Sequence, residues 1–134
     1  MSLPRLLFVC VENSNRSQMA EAFAKIHGAG LVEASSSGSK PSGKVNPRAV
    51  QFMAELGYDL TEHESKSLES FNGTVVAVAV TMGCGDYCPL VQATQRVDWN
   101  IPDPKELPDD EFRKVRDLIE EKVKELIEIA SRPA

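Results

Sequence analysis

Cys10 is followed six residues later by Arg16, and then directly by Ser17. The intervening Val11-Glu12-Asn13-Ser14-Asn15 joins a short apolar run, Leu6 to Val9, to an amphipathic stretch from Ser17 to His27. At a strand-to-helix junction of this kind, backbone N–H groups point outward and can cradle an anion. Arg16 adds a planar fork that can pair two oxygens of an oxyanion. The same positive field favours the thiolate of Cys10, which is the nucleophilic form. Ser17 could donate its hydroxyl to that thiolate. Asn13 could hold the shape of the loop, because asparagine tolerates left-handed geometry and hydrogen-bonds to backbone. Val11, Glu12, Asn13, Ser14, Asn15 and Arg16 therefore read as the substrate-binding loop. A cysteine after an apolar strand is often just a small buried hydrophobe. The arginine at the junction favours chemistry instead.

Two further thiols, Cys84 and Cys88, lie in Thr81-Met82-Gly83-Cys84-Gly85-Asp86-Tyr87-Cys88-Pro89. Three cysteines without a secretion signal argue against a structural disulfide framework, and for reactive thiols or metal ligands. Zinc held with His63 would lack a fourth ligand, and two inert core cysteines are the bland alternative. If the stretch is helical, the four-residue spacing puts both sulfurs on one face.

These residues need a scaffold, and the chain supplies an alternating one. Leu6 to Val9 predicts a strand ending at Cys10. Ser17 to His27 predicts a helix with Met19, Ala22, Phe23 and Ile26 at helical spacing, ended by Gly28 and Gly30. Leu31 to Ser36 predicts a second strand, closed by Gly38. Asn46-Pro47 starts a helix with proline at its first position, carrying Ala49, Val50, Phe52, Met53 and Leu56 and stopping at Gly57. A short helix is expected around Ser65 to Ser70. The run Val75-Val76-Ala77-Val78-Ala79-Val80 within Thr74 to Thr81 is what a strand covered on both faces looks like. Arg96 to Asn100 is a weaker strand. Asp109 to about Ser131 is a long amphipathic helix, lined by Phe112, Val115, Leu118, Ile119, Val123, Leu126 and Ile127, with Asp109 and Asp110 suiting its N-terminus. The expectation is an α/β fold, a small four-stranded parallel sheet flanked by helices. Ligands in such sheets bind at the carboxyl ends of strands, where Cys10, Thr81 and Asn100 fall.

The length of 134 residues suits a single catalytic domain spanning 1–134, and 42% hydrophobic residues can build a core. No apolar run is long enough to cross a membrane, and the opening residues lack the layout of a signal peptide, so a cytoplasmic location is expected. The net charge is −5. No cluster of Lys and Arg with aromatics points to nucleic acid. On an acidic surface, any anion site has to be built locally.

Cys-x5-Arg-Ser after the first strand resembles the signature of the low-molecular-weight protein tyrosine phosphatases and of the arsenate reductases that share their fold. The resemblance extends through Asn13, Ser17-Gln18-Met19-Ala20-Glu21-Ala22, Ser36 to Gly38, Asn46-Pro47, His63 with Ser65, and Asp103-Pro104. Gln18 is similar to the reductases, whereas the phosphatases usually carry proline there. Asp103, on its own an ordinary Asp-Pro turn, matches the family's general-acid loop. Expelling hydroxide or an alkoxide is slow without such an acid. After it comes Lys105-Glu106-Leu107-Pro108, without the aromatics that grip a phosphotyrosine ring, which favours a small inorganic anion.

The resemblance implies an arsenate reductase. Cys10 would be the nucleophile, Arg16 the clamp, Ser17 the support of the thiolate and Asp103 the acid. Cys84 would attack the first sulfur, and Cys88 would resolve the resulting disulfide. No tightly bound cofactor and no metal are expected. The implied partners are an oxyanion (arsenate, with phosphate or sulfate as analogues) and an external reductant, either thioredoxin or a low-molecular-weight thiol/glutaredoxin system. Cys84 and Cys88 are closer together than in the thioredoxin-linked members. Some members bind potassium through counterparts of Asn13, Glu21 and Ser36 plus an aspartate. Lys66 stands at that last position, and its ammonium could replace the ion. The alternatives are a phosphatase hydrolysing phosphate monoesters and, from another class, a non-catalytic anion- or metal-binding sensor.

Overall fold

The computed structural model describes residues 3–10, 13, 15–38, 42–65, 75–82 and 92–131. Among these the elements run β1 (Arg5–Cys10), α1 (Arg16–His27), β2 (Glu33–Gly38), α2 (Pro47–Ala54), a 3-10 turn at Leu60–Glu62, β3 (Val75–Thr81), β4 (Gln92–Asp98) and α3 (Asp109–Ala130). The strands form one parallel sheet in the order β2-β1-β3-β4.

Side chains alternate across β1 as a pleated strand requires. Leu6, Phe8 and Cys10 join the core with Phe23 of α1 and with Ile119, Val123 and Ile127 of α3. Leu7 and Val9 point the other way and are fully buried as well. A strand covered on both faces reads as a continuous apolar run, which is why β1 and β3 look alike in sequence. Gly28 caps α1, and a Cβ there would come within 2.6 Å of both Ala24 O and the Val32 side chain, so the chain turns toward β2 in a space only glycine fits.

Asn46 Oδ1 accepts from Arg48 N at 2.8 Å and Pro47 opens α2, giving the helix a capped and pre-set start. Phe52 of α2 packs on Phe112 of α3 with ring centroids 4.6 Å apart. Asp109, Asp110 and Glu111 fill the first turn of α3, where the helix dipole favours negative charge.

Several sequence expectations shift. β2 begins at Glu33, not Leu31, which is left 46% exposed. β4 covers Gln92–Asp98, earlier than Arg96 to Asn100, so the strand ends at Asp98 and Asn100 lies beyond it, exposed. α2 closes at Ala54, with a turn leading to Gly57 at φ +83°. Ile26, Leu56 and Leu118 stand at the edges of their apolar stripes and stay exposed. Of the helix expected at Ser65 to Ser70, Ser65 is not helical and the rest lies outside the described residues. The Leu60–Glu62 turn, capped by Asp59 Oδ1 on Thr61 N, was not anticipated.

Candidate active site at the carboxyl end of β1

Parallel pairing brings the ends of three strands to one edge. Cys10 ends β1 opposite Gly38, and Val9 faces Thr81 at the end of β3, which itself faces Asp98. Met82 N, just after β3, donates to Val9 O at 2.9 Å, which sets Met82 beside the end of β1.

Cys10 is 3% exposed, and its Sγ lies 2.8 Å from Ser17 Oγ. Asn13 Nδ2 donates to the same Ser17 oxygen at 2.8 Å. With its oxygen already accepting, Ser17 has its own proton free to turn toward the sulfur. Asn13 sits at φ +48°, a left-handed conformation that asparagine tolerates better than most residues.

The orientation of Asn13 is set by Gln18. Gln18 Nε2 has Asn13 O at 2.9 Å, Asn13 Oδ1 at 3.0 Å and Glu64 O at 2.8 Å, all acceptors, which fixes which end of the amide carries nitrogen. Gln18 Oε1 must then accept, so His63 Nδ1, 3.0 Å away, donates to it. The other ring nitrogen, His63 Nε2, lies 2.7 Å from the Tyr58 hydroxyl. Burial raises the pKa of Tyr58 above the usual phenol value, so it remains a donor at neutral pH. A chain of donors therefore runs from His63 through Gln18, Asn13 and Ser17 to the sulfur of Cys10, with the Tyr58 hydroxyl on the far side of the His63 ring.

Beside this chain, Glu21 is buried. Ser36 Oγ donates to its Oε1 at 2.5 Å, and Lys25 Nζ pairs with its Oε2 at 2.7 Å. His63 Nδ1 is 3.7 Å from the same oxygen. Lys25 thus brings a cation to Glu21 from one helical turn away.

Arg16 opens α1. Its Nη1 donates to Ile101 O at 2.9 Å, and its Nη2 is 4.0 Å from Asp103 Oδ2. Asp103 is half-exposed and its Oδ1 accepts from Lys105 N at 3.0 Å, which folds the acidic segment into a tight turn. Asn15 precedes α1 without a side-chain capping bond. It is buried, and neither Nδ2 nor Oδ1 has a hydrogen-bond partner among the described residues.

The structure therefore brings together Cys10, Asn13, Asn15, Arg16, Ser17 and Asp103. Val11, Glu12, Ser14, Lys66, Cys84 and Cys88 lie outside the described residues. The sequence set Gln18 apart by resemblance, and His63 by resemblance and as a weighed zinc ligand, and it missed Tyr58 and the carbonyl of Ile101. A glutamine on the buried face of a helix was the one available signal for the chain of donors.

Residues 5–132 match the family model described as low molecular weight phosphotyrosine protein phosphatase. A curated relative from Synechocystis sp., named glutaredoxin arsenate reductase, is 39% identical over 128 residues, which span 93% of this chain and 97% of the relative. Two solved structures cover 96% of this chain and all of their own. One, described as an arsenate reductase in oxidized state, has a TM-score of 0.87 at 38% identity. The other, described as an arsenate reductase in the phosphate binding state, has a TM-score of 0.85 at 37% identity.

Proposed function

The chain belongs to the low molecular weight phosphotyrosine protein phosphatase family, and from that premise we propose that it is an arsenate reductase working through Cys10. It is a thiol-dependent oxidoreductase that converts arsenate to arsenite. The observation that carries the assignment of Cys10 is its sulfur, 2.8 Å from a Ser17 hydroxyl whose oxygen already accepts from Asn13. A hydroxyl aimed at the sulfur stabilises the thiolate more than the thiol.

The Cys10 thiolate attacks arsenic and displaces one oxygen. Arg16 and the N–H groups at the start of α1 hold the remaining oxygens. The unpartnered Nδ2 of buried Asn15 is a further donor for them. Asp103 gives its proton to the departing oxygen, which leaves as water. The Cys84 thiolate then attacks the Cys10 sulfur. The sulfur–arsenic bond breaks, its electron pair stays on arsenic, and arsenite departs. The two electrons gained by arsenic equal the two lost as the thiols become a disulfide. Cys88 displaces Cys10 to give a Cys84–Cys88 disulfide, which an external reductant of the thioredoxin or glutaredoxin class reopens. The name of the Synechocystis relative supports the glutaredoxin class. We place the protein in the cytoplasm, where such reductants operate. No helix among the described residues is long and apolar enough to cross a membrane.

Arsenate and p-nitrophenyl phosphate assays on three proteins test this reading. Cys10→Ser is expected to abolish both activities, since a serine hydroxyl is not ionised by the loop. Cys84→Ser is expected to lose arsenate turnover and keep whatever ester hydrolysis the wild type shows. Arsenate turnover surviving in Cys10→Ser refutes the site. Survival in Cys84→Ser removes that residue as the second thiol.

A further inference from the structure

The segment from Ile101 to Lys105 carries Asp103 between two guanidinium groups. On one side Arg16 Nη1 donates to Ile101 O at 2.9 Å. On the other, Arg48 near the start of α2 reaches across 57 residues. Its Nη1 donates to Lys105 O at 3.0 Å and, more weakly, to Pro104 O at 3.4 Å. Its Nη2 donates to Asp109 Oδ1 at 3.0 Å, at the first residue of α3. The Arg48 guanidinium also lies 4.7 Å from the centroid of the Phe112 ring and 5.7 Å from that of Phe52. The guanidinium is thus packed on the rings and its position is defined.

A guanidinium offers five donors in a fixed plane, so one group can hold several acceptors at set angles. Here it spans the two carbonyls that directly follow Asp103 and the helix that begins four residues later. Pro104 O also accepts from Leu107 N at 3.0 Å, and Asp103 Oδ1 accepts from Lys105 N. The Asp103 side chain is therefore tied to the same short turn that Arg48 grips. Its other oxygen, Oδ2, is the one 4.0 Å from Arg16.

We propose that Arg48 is a positioning residue for the general acid: it clamps the turn after Asp103 to α2 and α3 and so holds the Asp103 carboxyl beside Arg16 and the bound oxyanion. Arg48 acts through Asp103 and touches no substrate. This rests on the reading of Asp103 as the acid, and the test separates the two. Loss of the clamp leaves Arg16 to hold Ile101 O alone. The carboxyl then samples positions away from the departing oxygen, and displacement of about 1 Å at such a group can cost up to about a hundredfold in rate.

The experiment is a double-mutant cycle on the first turnover. Pre-reduced protein is mixed with saturating arsenate without added reductant, and arsenite formation is timed. Arg48→Met keeps an apolar stem on the two phenylalanines and removes the donors. It is expected to slow the step about tenfold, with half-saturating arsenate changed less than about twofold. Asp103→Asn is expected to slow it about a hundredfold. The double variant should be no slower than Asp103→Asn alone, because a clamp has nothing left to position. Multiplied effects in the double variant, or an unchanged rate in Arg48→Met, would overturn the proposal. An unchanged rate in Asp103→Asn would overturn the acid assignment and the clamp with it. If Arg48→Met does not fold, Arg48→Lys gives the same cycle, since its single ammonium keeps the charge over the rings but cannot span both carbonyls and Asp109.

Discussion

The loop at Cys10 and the seam between α2 and α3 are both polar, yet different bonds hold them. At the loop, Gln18, Asn13 and Ser17 link His63 to Cys10 through neutral side chains, and all three are fully buried. At the seam, Arg113 donates to Glu55 at 2.8 Å and Arg116 does so at 2.7 Å, with Glu55 about one-third exposed. Neutral buried bonds are directional and resist salt, and each has a donor that can point only one way. The partly exposed Arg113–Glu55 pair is screened and contributes little, while Arg116 is buried at the seam. The loop fixes the orientation of individual protons, and the seam fixes the spacing of two helices. Arg48 belongs to the seam by position but reaches the acidic turn, and it is where the two regions meet.

The comparison breaks most sharply at Gln18. Gln18→Ala would remove one hydrogen bond each from Asn13 Oδ1, Glu64 O and His63 Nδ1. First-turnover arsenite formation is expected to fall about ten- to a hundredfold, because Asn13 no longer holds Ser17. Stability should fall by about 1–3 kcal/mol, the usual penalty for stranded buried groups. Stopped assays and denaturant unfolding read the two effects separately. A rate within about twofold of wild type would show that the chain beyond Asn13 has no bearing on the sulfur.

A smaller effect belongs to Glu55. Hydrogen bonds from Arg113 and then Arg116 hold its pKa at about 2, below the ordinary carboxylate value of 4.5. A folded-state pKa lowered in this way stabilises the fold above the unfolded-state value, and that contribution disappears as pH falls through the folded-state value. Glu55→Gln should therefore melt below wild type at neutral pH. The gap should hold down to about pH 4.5 and close toward pH 2. Arsenite formation per folded molecule should not change. A gap independent of pH would mean that Glu55 acts by packing rather than by charge.

The same contrast explains what the sequence made legible. Cys10, Asn13, Arg16 and Ser17 lie within eight residues, so a strand, a turn and a helix start were enough to bring them together. Asp103 needed the family resemblance, because Asp-Pro alone is an ordinary turn. Tyr58, the carbonyl of Ile101 and the reach of Arg48 depend on contacts across tens of residues, which no local pattern records. β1 and β3 were legible from apolar runs, but the start of β2 and the span of the more polar β4 were not. Leu31 looks like strand material, yet parallel pairing with β1 begins only where Glu33 meets Arg5. Periodicity located the stripes of α1 and α3 without showing that Ile26 and Leu118 lie past the covered edge. Lys66, singled out by the resemblance, lies outside the described residues, and among those described Lys25 pairs with Glu21.

The central claim is that arsenate is reduced by this chain's own thiols, beginning at Cys10. Fully reduced protein, freed of added thiols, is mixed with excess arsenate, and arsenite and free thiols are counted together. The account predicts about one arsenite per chain and about two thiols lost for each arsenite. Alkylation and peptide mapping should then place the disulfide among Cys10, Cys84 and Cys88, and Cys10→Ser should yield no arsenite. Arsenite formed without loss of thiols, or formed undiminished by Cys10→Ser, would contradict it.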